Sequence, residues 1–177
     1  MAKPNKAKNK APARLETQTD LSGNAIPELA EALNALVADS YVLYLKTKNF
    51  HWHVSGPHFR DYHLLFDEQA DQIFASTDAL AERVRRLGAE TVHSLAQMLT
   101  LTSLKENEAS YVSPVAMLHE LMEDNKTVIR NMREAHELCD KHGDVASASV
   151  LEVFIDEAEK RNWFLFETSR NAEGGGH

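Results

Sequence analysis

Apolar side chains recur at three- and four-residue steps along two stretches in the first half of the chain, the spacing of one face of an α-helix. One stretch runs from about Ile26 to His53 and the other from Pro57 to Leu87, where Gly88 stops it. Their predicted core residues are Ile26, Leu29, Leu33, Leu36, Val37, Tyr41 and Tyr44, then Phe59, Phe66, Ala70, Ile73, Phe74, Leu80, Ala81, Val84 and Leu87. The pattern predicts two long amphipathic helices.

Two further helices are predicted in the second half of the chain. Ser113 can cap the third, with Pro114 at its first position and Gly143 at its end. Asp144 can cap the fourth, which should fray near Arg170. Their predicted core residues are Leu118, Leu121, Met122, Val128, Ile129, Met132 and Leu138, then Leu151, Phe154, Ile155, Ala158, Phe164 and Leu165.

The link between the second and third helices is far longer than an antiparallel hairpin needs, at about 24 residues. A link of this length can travel along a bundle from one end to the other. Within it, Leu95, Met98, Leu99 and Leu101 predict a short helix whose apolar side packs on the bundle or at a subunit contact. The predicted fold class is therefore all-α, a four-helix bundle with a long crossover that carries a short helix between helices 2 and 3.

Composition agrees with one helical domain, because the chain has 177 residues, 43% of them hydrophobic, with only seven Gly and five Pro. The single cysteine, Cys139, excludes an internal disulfide and is compatible with a reducing cytoplasm. No apolar run resembles a signal peptide or is long enough to cross a membrane, so we expect a cytoplasmic protein. The expected organisation is a flexible basic tail over residues 1–20, the bundle over 21–171 and a short flexible tail over 172–177.

Five side chains that can bind a metal ion lie within or just before the second helix, namely His51, His63, Asp67, Asp78 and Glu82. His63 and Asp67 are four residues apart and share a helix face, and Asp78 and Glu82 repeat that geometry. At about 1.5 Å of rise per residue, Asp67 and Asp78 are roughly 16 Å apart, whereas ligands of one ion lie within about 2.5 Å of it. A single chain therefore cannot close the site.

A second copy of the chain can supply the missing half. If two copies of the second helix pack antiparallel across a two-fold axis, the His63/Asp67 pair of one faces the Asp78/Glu82 pair of the other. The midpoint of the two pairs predicts an axis that passes between Gln72 and Ile73, with two sites about 22 Å apart. His51 joins from the end of the first helix, because the turn at 54–57 brings that end back beside the second helix.

Each of these residues also has a simpler interpretation. A single histidine on an apolar face is most often a core residue, and helix carboxylates usually form a solvated stripe. Taken together, however, the five ionisable groups would be poorly paired without a metal. Nitrogen and oxygen ligands without thiolate suit iron(II), zinc or manganese. Because histidine binds metals in its neutral form, occupancy should fall below about pH 6.5.

The spacing of these residues resembles the ferroxidase signature of the Dps family, the DNA-binding proteins from starved cells, or miniferritins. The matching positions are His51-Trp52, Gly56, Phe59, His63, Asp67, Asp78, Ala81-Glu82-Arg83 and Leu87-Gly88. The resemblance implies a ferritin-like homododecamer, a hollow shell that oxidises Fe(II) between two-fold-related subunits, preferably with hydrogen peroxide, and stores a ferric mineral. The five candidate ligands correspond to the iron ligands of the family. Trp52 corresponds to an aromatic residue near the iron, proposed to intercept stray oxidising equivalents.

Positive charge is concentrated at the start of the chain. Lys3, Lys6, Lys8, Lys10 and Arg14 give the first 14 residues a charge of +5, so the other residues sum to −13 (14 − 27). A Lys-, Pro- and Ala-rich tail has too little apolar surface to fold by itself, and alone it could simply aid solubility. Repeated twelve times, it should bind DNA without sequence preference through phosphate contacts, and this implies an association with the nucleoid.

Two other functions remain open at this stage. One is a structural protein that compacts the nucleoid and whose metal site only holds the dimer together. The other is a zinc or manganese store without redox turnover. Metal-independent compaction of DNA without iron oxidation would favour the first, and strong zinc binding without iron oxidation would favour the second.

Overall fold

The computed structural model describes residues 15–173, with side chains as far as residue 170. This part of the chain contains five α-helices and no strand, and the helices are α1 (Ala25–His53), α2 (Phe59–Arg86), α3 (Leu95–Leu101), α4 (Pro114–His142) and α5 (Val145–Glu173). α1 packs along α2, α4 packs along α5, and the two hairpins meet chiefly through α1 and α4. The predicted all-α class is confirmed, with a short helix in the crossover between the second and third long helices.

Glycine defines both ends of α2. Gly56 has a φ of 104° and its carbonyl accepts a hydrogen bond from the Phe59 N–H at 3.0 Å, so a turn occupies the residues before Phe59. α2 therefore begins two residues later than the predicted Pro57. At the other end Gly88 has a φ of 82°, and a Cβ there would lie 3.1 Å from the carbonyl oxygen of Thr17. Both the left-handed backbone and the close contact favour glycine at this position.

The predicted caps of the last two helices are confirmed. The Ser113 hydroxyl accepts a hydrogen bond from the Ala116 N–H, and Gly143 ends α4 in the left-handed conformation, with a φ of 72°. The Asp144 carboxylate accepts from the Ser147 N–H at 3.1 Å at the start of α5. The same carboxylate accepts from the Arg83 guanidinium at 3.1 Å, so this cap also fastens the end of α2 to α5.

Most of the predicted core residues are buried, including Leu33 and Leu36 of α1, Phe66 and Leu80 of α2, and Leu118 of α4. The prediction was wrong for three aromatic residues, Phe59, Phe74 and Phe164, which are exposed. The apolar spacing includes them, but one subunit covers only the arc of each helix that faces its neighbours. They leave apolar surface on the outside of the subunit.

The short helix α3 buries only part of its apolar side on its own subunit. Leu95 is 74% exposed and Leu99 is also exposed, whereas Met98 and Leu101 are half-buried. The sequence left open whether the apolar side of α3 packs on the bundle or at a subunit contact. Leu95 and Leu99 do not pack on the bundle.

A buried carboxylate fixes the crossover to the bundle. Asp39 in α1 accepts hydrogen bonds from the Thr102 hydroxyl at 2.8 Å, the Ser103 N–H at 2.6 Å and the Asn131 amide at 2.9 Å. The Ser103 hydroxyl also donates to it, at 3.0 Å. Since a buried carboxylate is costly without such partners, the four bonds hold the segment after α3 against both α1 and α4.

Candidate metal centre

Two stacked histidines join the end of α1 to the start of α2. The rings of His51 and His63 lie 3.8 Å apart between centroids, with 22° between their planes. Nδ1 of His51 is 2.8 Å from the carbonyl oxygen of His63, and Nδ1 of His63 is 2.9 Å from the carbonyl oxygen of His51. Because a carbonyl only accepts, each Nδ1 carries a proton, and in the neutral ring Nε2 keeps the lone pair that a metal needs.

Asp67 lies beside this pair. Its Oδ1 is 3.6 Å from Nε2 of His51, and it accepts a short hydrogen bond from the Lys48 ammonium. That bond is the main reason why the pKa of Asp67 lies below its usual value, and the charges of His51 and His63 act in the same direction. The same bond raises the pKa of Lys48. The first predicted half of the site, His51, His63 and Asp67, is thus brought together by the α1–α2 hairpin.

The second predicted pair lies farther along the same face of α2. Asp78 and Glu82 are both exposed, and Glu82 forms an ion pair with Arg86. With about 1.5 Å of rise per residue, Asp78 is roughly 16 Å from Asp67 along the axis. Within the described residues, no group of three or more His, Cys, Asp or Glu side chains is arranged to hold a metal ion. One subunit therefore presents two separate halves.

The two halves belong to one stripe of side chains along α2. The ligand stripe consists of His63, Asp67, Asp71, Phe74, Asp78 and Glu82, at steps of three or four residues. Phe74, near its middle, is 48% exposed. Its ring contacts Tyr44 and Tyr41 of α1, with centroids 4.9 and 6.1 Å away. The stripe is thus polar at both ends and aromatic at its centre.

Two aromatic residues of the signature border the His51/His63 half. The ring of Phe59 lies 5.0 Å from that of His63, tilted by 31°. Trp52 is 61% exposed on the surface beside His51. The structure assigns Trp52 no chemical role, and its part in intercepting oxidising equivalents stays a prediction.

Lys48 is a residue of the candidate site that the sequence did not predict. It lies three residues before His51 and therefore on the same face of α1, a spacing that could have identified it. The reciprocal bonds between the histidines and each other's carbonyls have no comparable signal, because they depend on how the hairpin closes. Both features decide which atoms of the His51/His63 half are free to bind a metal.

The donor set fits a first-row divalent ion. Two imidazoles and three carboxylates supply nitrogen and oxygen ligands, which suit iron(II), and also zinc or manganese. Cys139 does not belong to the site, because it is buried and burial raises the pKa of its thiol to about 11. Carboxylates inside the bundle are also engaged elsewhere, since the Lys46 ammonium lies 3.0 Å from Glu120 and 2.7 Å from Asp124.

The candidate DNA-binding residues, Lys3, Lys6, Lys8, Lys10 and Arg14, lie outside the described residues, so no contact can be assigned to them. None of the helices formed by residues 15–173 combines the length and apolar character needed to cross a bilayer.

The family comparison places the whole bundle in one known domain type. Residues 30–173 match the model of the ferritin-like domain. This range contains all five candidate ligands and Trp52.

Curated relatives and a solved structure extend the match. A low temperature-induced protein of Nostoc sp. is 38% identical over 134 residues, 75% of each chain. A DNA protection during starvation protein of Brevibacillus brevis is 34% identical over 137 residues, which cover 77% of this chain and 91% of that protein. The Dps protein of Vibrio cholerae, a member of a broad superfamily of ferritin-like diiron-carboxylate proteins, superposes with a TM-score of 0.82 at 27% identity, over 89% of this chain and 98% of that one.

Lys48 should compete with a metal ion for Asp67. We expect Lys48→Met to tighten cobalt(II) binding about tenfold, because it removes a positive charge beside the ion. The measurement is a cobalt(II) titration followed by visible absorption, with Lys126→Met as an exposed lysine control on α4. An affinity unchanged by Lys48→Met would show that the ammonium is not a competitor.

Proposed function

The chain belongs to the Dps family of ferritin-like proteins, and from this premise we propose that it is a ferroxidase and iron-storage protein that oxidises Fe(II) between two-fold-related subunits. One subunit contributes His51, His63 and Asp67, and its partner contributes Asp78 and Glu82. Iron is the substrate, and the oxidised product is stored as a ferric mineral inside a shell of twelve subunits. Zinc and manganese are substitutes that the same donors accept.

The oxidant in this proposal is hydrogen peroxide. Two ferrous ions each give one electron to one peroxide, its O–O bond breaks, and uptake of two protons releases two water molecules. Asp78 and Glu82 are exposed, and the hydrogen bonds of Nδ1 in His51 and His63 leave each Nε2 atom available to the ion. The carboxylate ligands stabilise the higher charge of Fe(III).

The observation that carries the proposal is the ligand stripe with Phe74 near its centre. Each polar end of the stripe holds only part of a metal ion's ligands, and the middle is an exposed aromatic residue. Such a surface suits contact with a second, antiparallel copy. Phe74 lies about one and a half residues from the midpoint expected between Gln72 and Ile73, where the two-fold axis would pass. Burial of the Phe74 rings would then stabilise the same contact that brings the two halves of each site together.

DNA binding is the second activity that we propose. The Brevibacillus relative is named for DNA protection. The first 14 residues of this chain have a net charge of +5, whereas the remaining residues have a net charge of −13. In a twelve-subunit shell the tails together present about sixty positive charges. Once one tail has bound, the others are held close to the DNA, and this high effective concentration raises the overall affinity. Such binding relies on contacts to the phosphates and not to the bases, and so it has no sequence preference. It would associate the protein with the nucleoid and act in the stress response.

The first test removes the second half of the site. We expect Asp78→Ala/Glu82→Ala to slow peroxide-dependent iron oxidation at least about a hundredfold, because each iron ion then loses the ligands that the partner subunit supplies. The protein is loaded with Fe(II) without oxygen, peroxide is added, and ferric absorbance is followed.

The control is Glu123→Ala/Glu134→Ala, a pair of exposed carboxylates on α4, which should oxidise iron at the wild-type rate. Fast oxidation by the Asp78/Glu82 variant would place the reaction elsewhere. Wild-type oxidation no faster than that of protein-free iron would favour the structural alternative, in which the metal only holds the dimer together and the protein compacts DNA.

The second test concerns the tail. Deletion of residues 1–14 should abolish gel retardation of DNA at moderate salt and leave iron oxidation unchanged, because the remaining chain is acidic. Lys126→Gln/Lys141→Gln removes two exposed lysines from the described part of the chain and should retain DNA binding. Retardation that persists after the deletion would refute the role of the tail.

A further inference from the structure

A buried arginine of α5 lies against α2 and α4, and no carboxylate of the described residues lies within ion-pair distance of it. Arg161 is only 5% exposed. Within the described residues its one side-chain hydrogen bond runs from Nε to the amide oxygen of Asn125, at 3.3 Å, and it forms no ion pair. Burial lowers the pKa of Arg161 to about 10, while the charge of Glu157 one turn earlier in α5 acts in the opposite direction, and the guanidinium stays charged at neutral pH. A buried charge of this kind is costly unless an opposite charge reaches it.

A small cleft that is open to solvent adjoins this arginine. It follows the line where α2 and α5 touch over only a few residues. Its lining residues are Leu65, Glu68, Gln69, Gln72, Lys160, Arg161 and Phe164. Lys160 adds a second positive charge, and its ammonium lies 5.9 Å from the centre of the Phe164 ring. Glu68 is the only acid of the lining, and it accepts a hydrogen bond from Gln72 at 3.3 Å.

The cleft also contains an unused acceptor. The amide nitrogen of Gln69 donates to the backbone carbonyl of Arg161 at 3.1 Å, which fixes the orientation of the amide. The other atom of that amide, Oε1, is buried and has no hydrogen-bond partner within the described residues. A buried acceptor without a donor needs a ligand or water that carries a proton.

We propose that this cleft binds phosphate. The guanidinium and the Lys160 ammonium match the negative oxygens, and a guanidinium can donate two parallel hydrogen bonds to such a group. Gln69 accepts the remaining proton of hydrogenphosphate. Sulfate has the same shape but no proton to donate at neutral pH, and chloride has neither the shape nor the proton. The site therefore distinguishes phosphate from both ions.

The cleft adjoins the ligand stripe, since Glu68 and Gln72 directly follow Asp67 and Asp71 in α2. Phosphate held here would lie near ferric ions leaving the oxidation site, a consequence that rests on the proposed function. Binding of phosphate does not depend on iron oxidation, and each claim can fail while the other stands.

The test is a titration of the full-length, metal-free protein with inorganic phosphate by isothermal calorimetry, repeated with sulfate and with chloride at equal ionic strength. We expect one phosphate per subunit, bound more tightly than sulfate. Arg161→Gln should weaken phosphate binding about tenfold or more, because it removes hydrogen bonds from a charged donor. Lys160→Gln should weaken it about threefold, as the loss of one exposed charge.

Lys160 is exposed, and so its variant keeps the test decisive if Arg161→Gln fails to fold. Gln69→Leu should reduce the preference for phosphate over sulfate. The control is Lys126→Gln, which alters an exposed lysine on α4 and should leave the affinity for phosphate unchanged. Equal binding of phosphate and sulfate, or phosphate binding unaltered by Lys160→Gln, would overturn the proposal. Absence of phosphate binding would also overturn it, and would mean that a carboxylate of another subunit, or water alone, reaches Arg161.

Discussion

The unbroken length of α2, from Phe59 to Arg86, is the constraint on which the rest of this protein depends. A continuous helix holds Asp67 and Asp78 roughly 16 Å apart along its axis. No choice of side-chain rotamers brings both carboxylates within bonding distance of one ion. Its two ends are fixed by Gly56 and Gly88, and its C-terminal end is fastened to α5 through Arg83 and Asp144. In the proposed function, the helix presents two separate halves of a site, and a second copy combines them.

Inside the subunit, the remaining charges are arranged to stabilise the bundle and not to bind a metal. Asp39 receives four hydrogen bonds from the crossover and α4, and Lys46 of α1 forms ion pairs with Glu120 and Asp124 of α4. Burial nevertheless raises the pKa of Asp124. The proposed metal chemistry belongs to the surface, where the α1–α2 hairpin holds two histidines in the tautomer that frees their Nε2 atoms.

The sequence predicted the helices well because their ends carry local chemical signals. Ser113 before Pro114, the left-handed Gly143 and the Asp144 cap each act within a few residues, and so they can be recognised without tertiary structure. The apolar spacing predicted the buried faces, but it placed Phe59, Phe74 and Phe164 in the core. Periodicity identifies the apolar face of a helix, but not whether the surface that covers it belongs to the same chain.

The candidate site was partly predictable for the same reason. Spacing along α2 paired His63 with Asp67 and Asp78 with Glu82, because both pairs are local. Contacts across the hairpin were not predicted, notably the ion pair of Lys48 with Asp67 and the bonds of each histidine to the other's carbonyl. The buried Arg161 could not be recognised either, since its isolation depends on which residues of α2 and α4 surround it.

The most direct measurement is complementation between two defective subunits, His63→Ala/Asp67→Ala and Asp78→Ala/Glu82→Ala. The two are co-expressed with different affinity tags, and assemblies that contain both are purified. In each mixed dimer one site combines both altered halves and the other combines both intact halves. Random pairing should then restore about a quarter of the wild-type rate of iron oxidation, although each variant alone is inactive. Mixed assemblies as inactive as their parents, or full activity in either parent alone, would contradict a site shared between subunits.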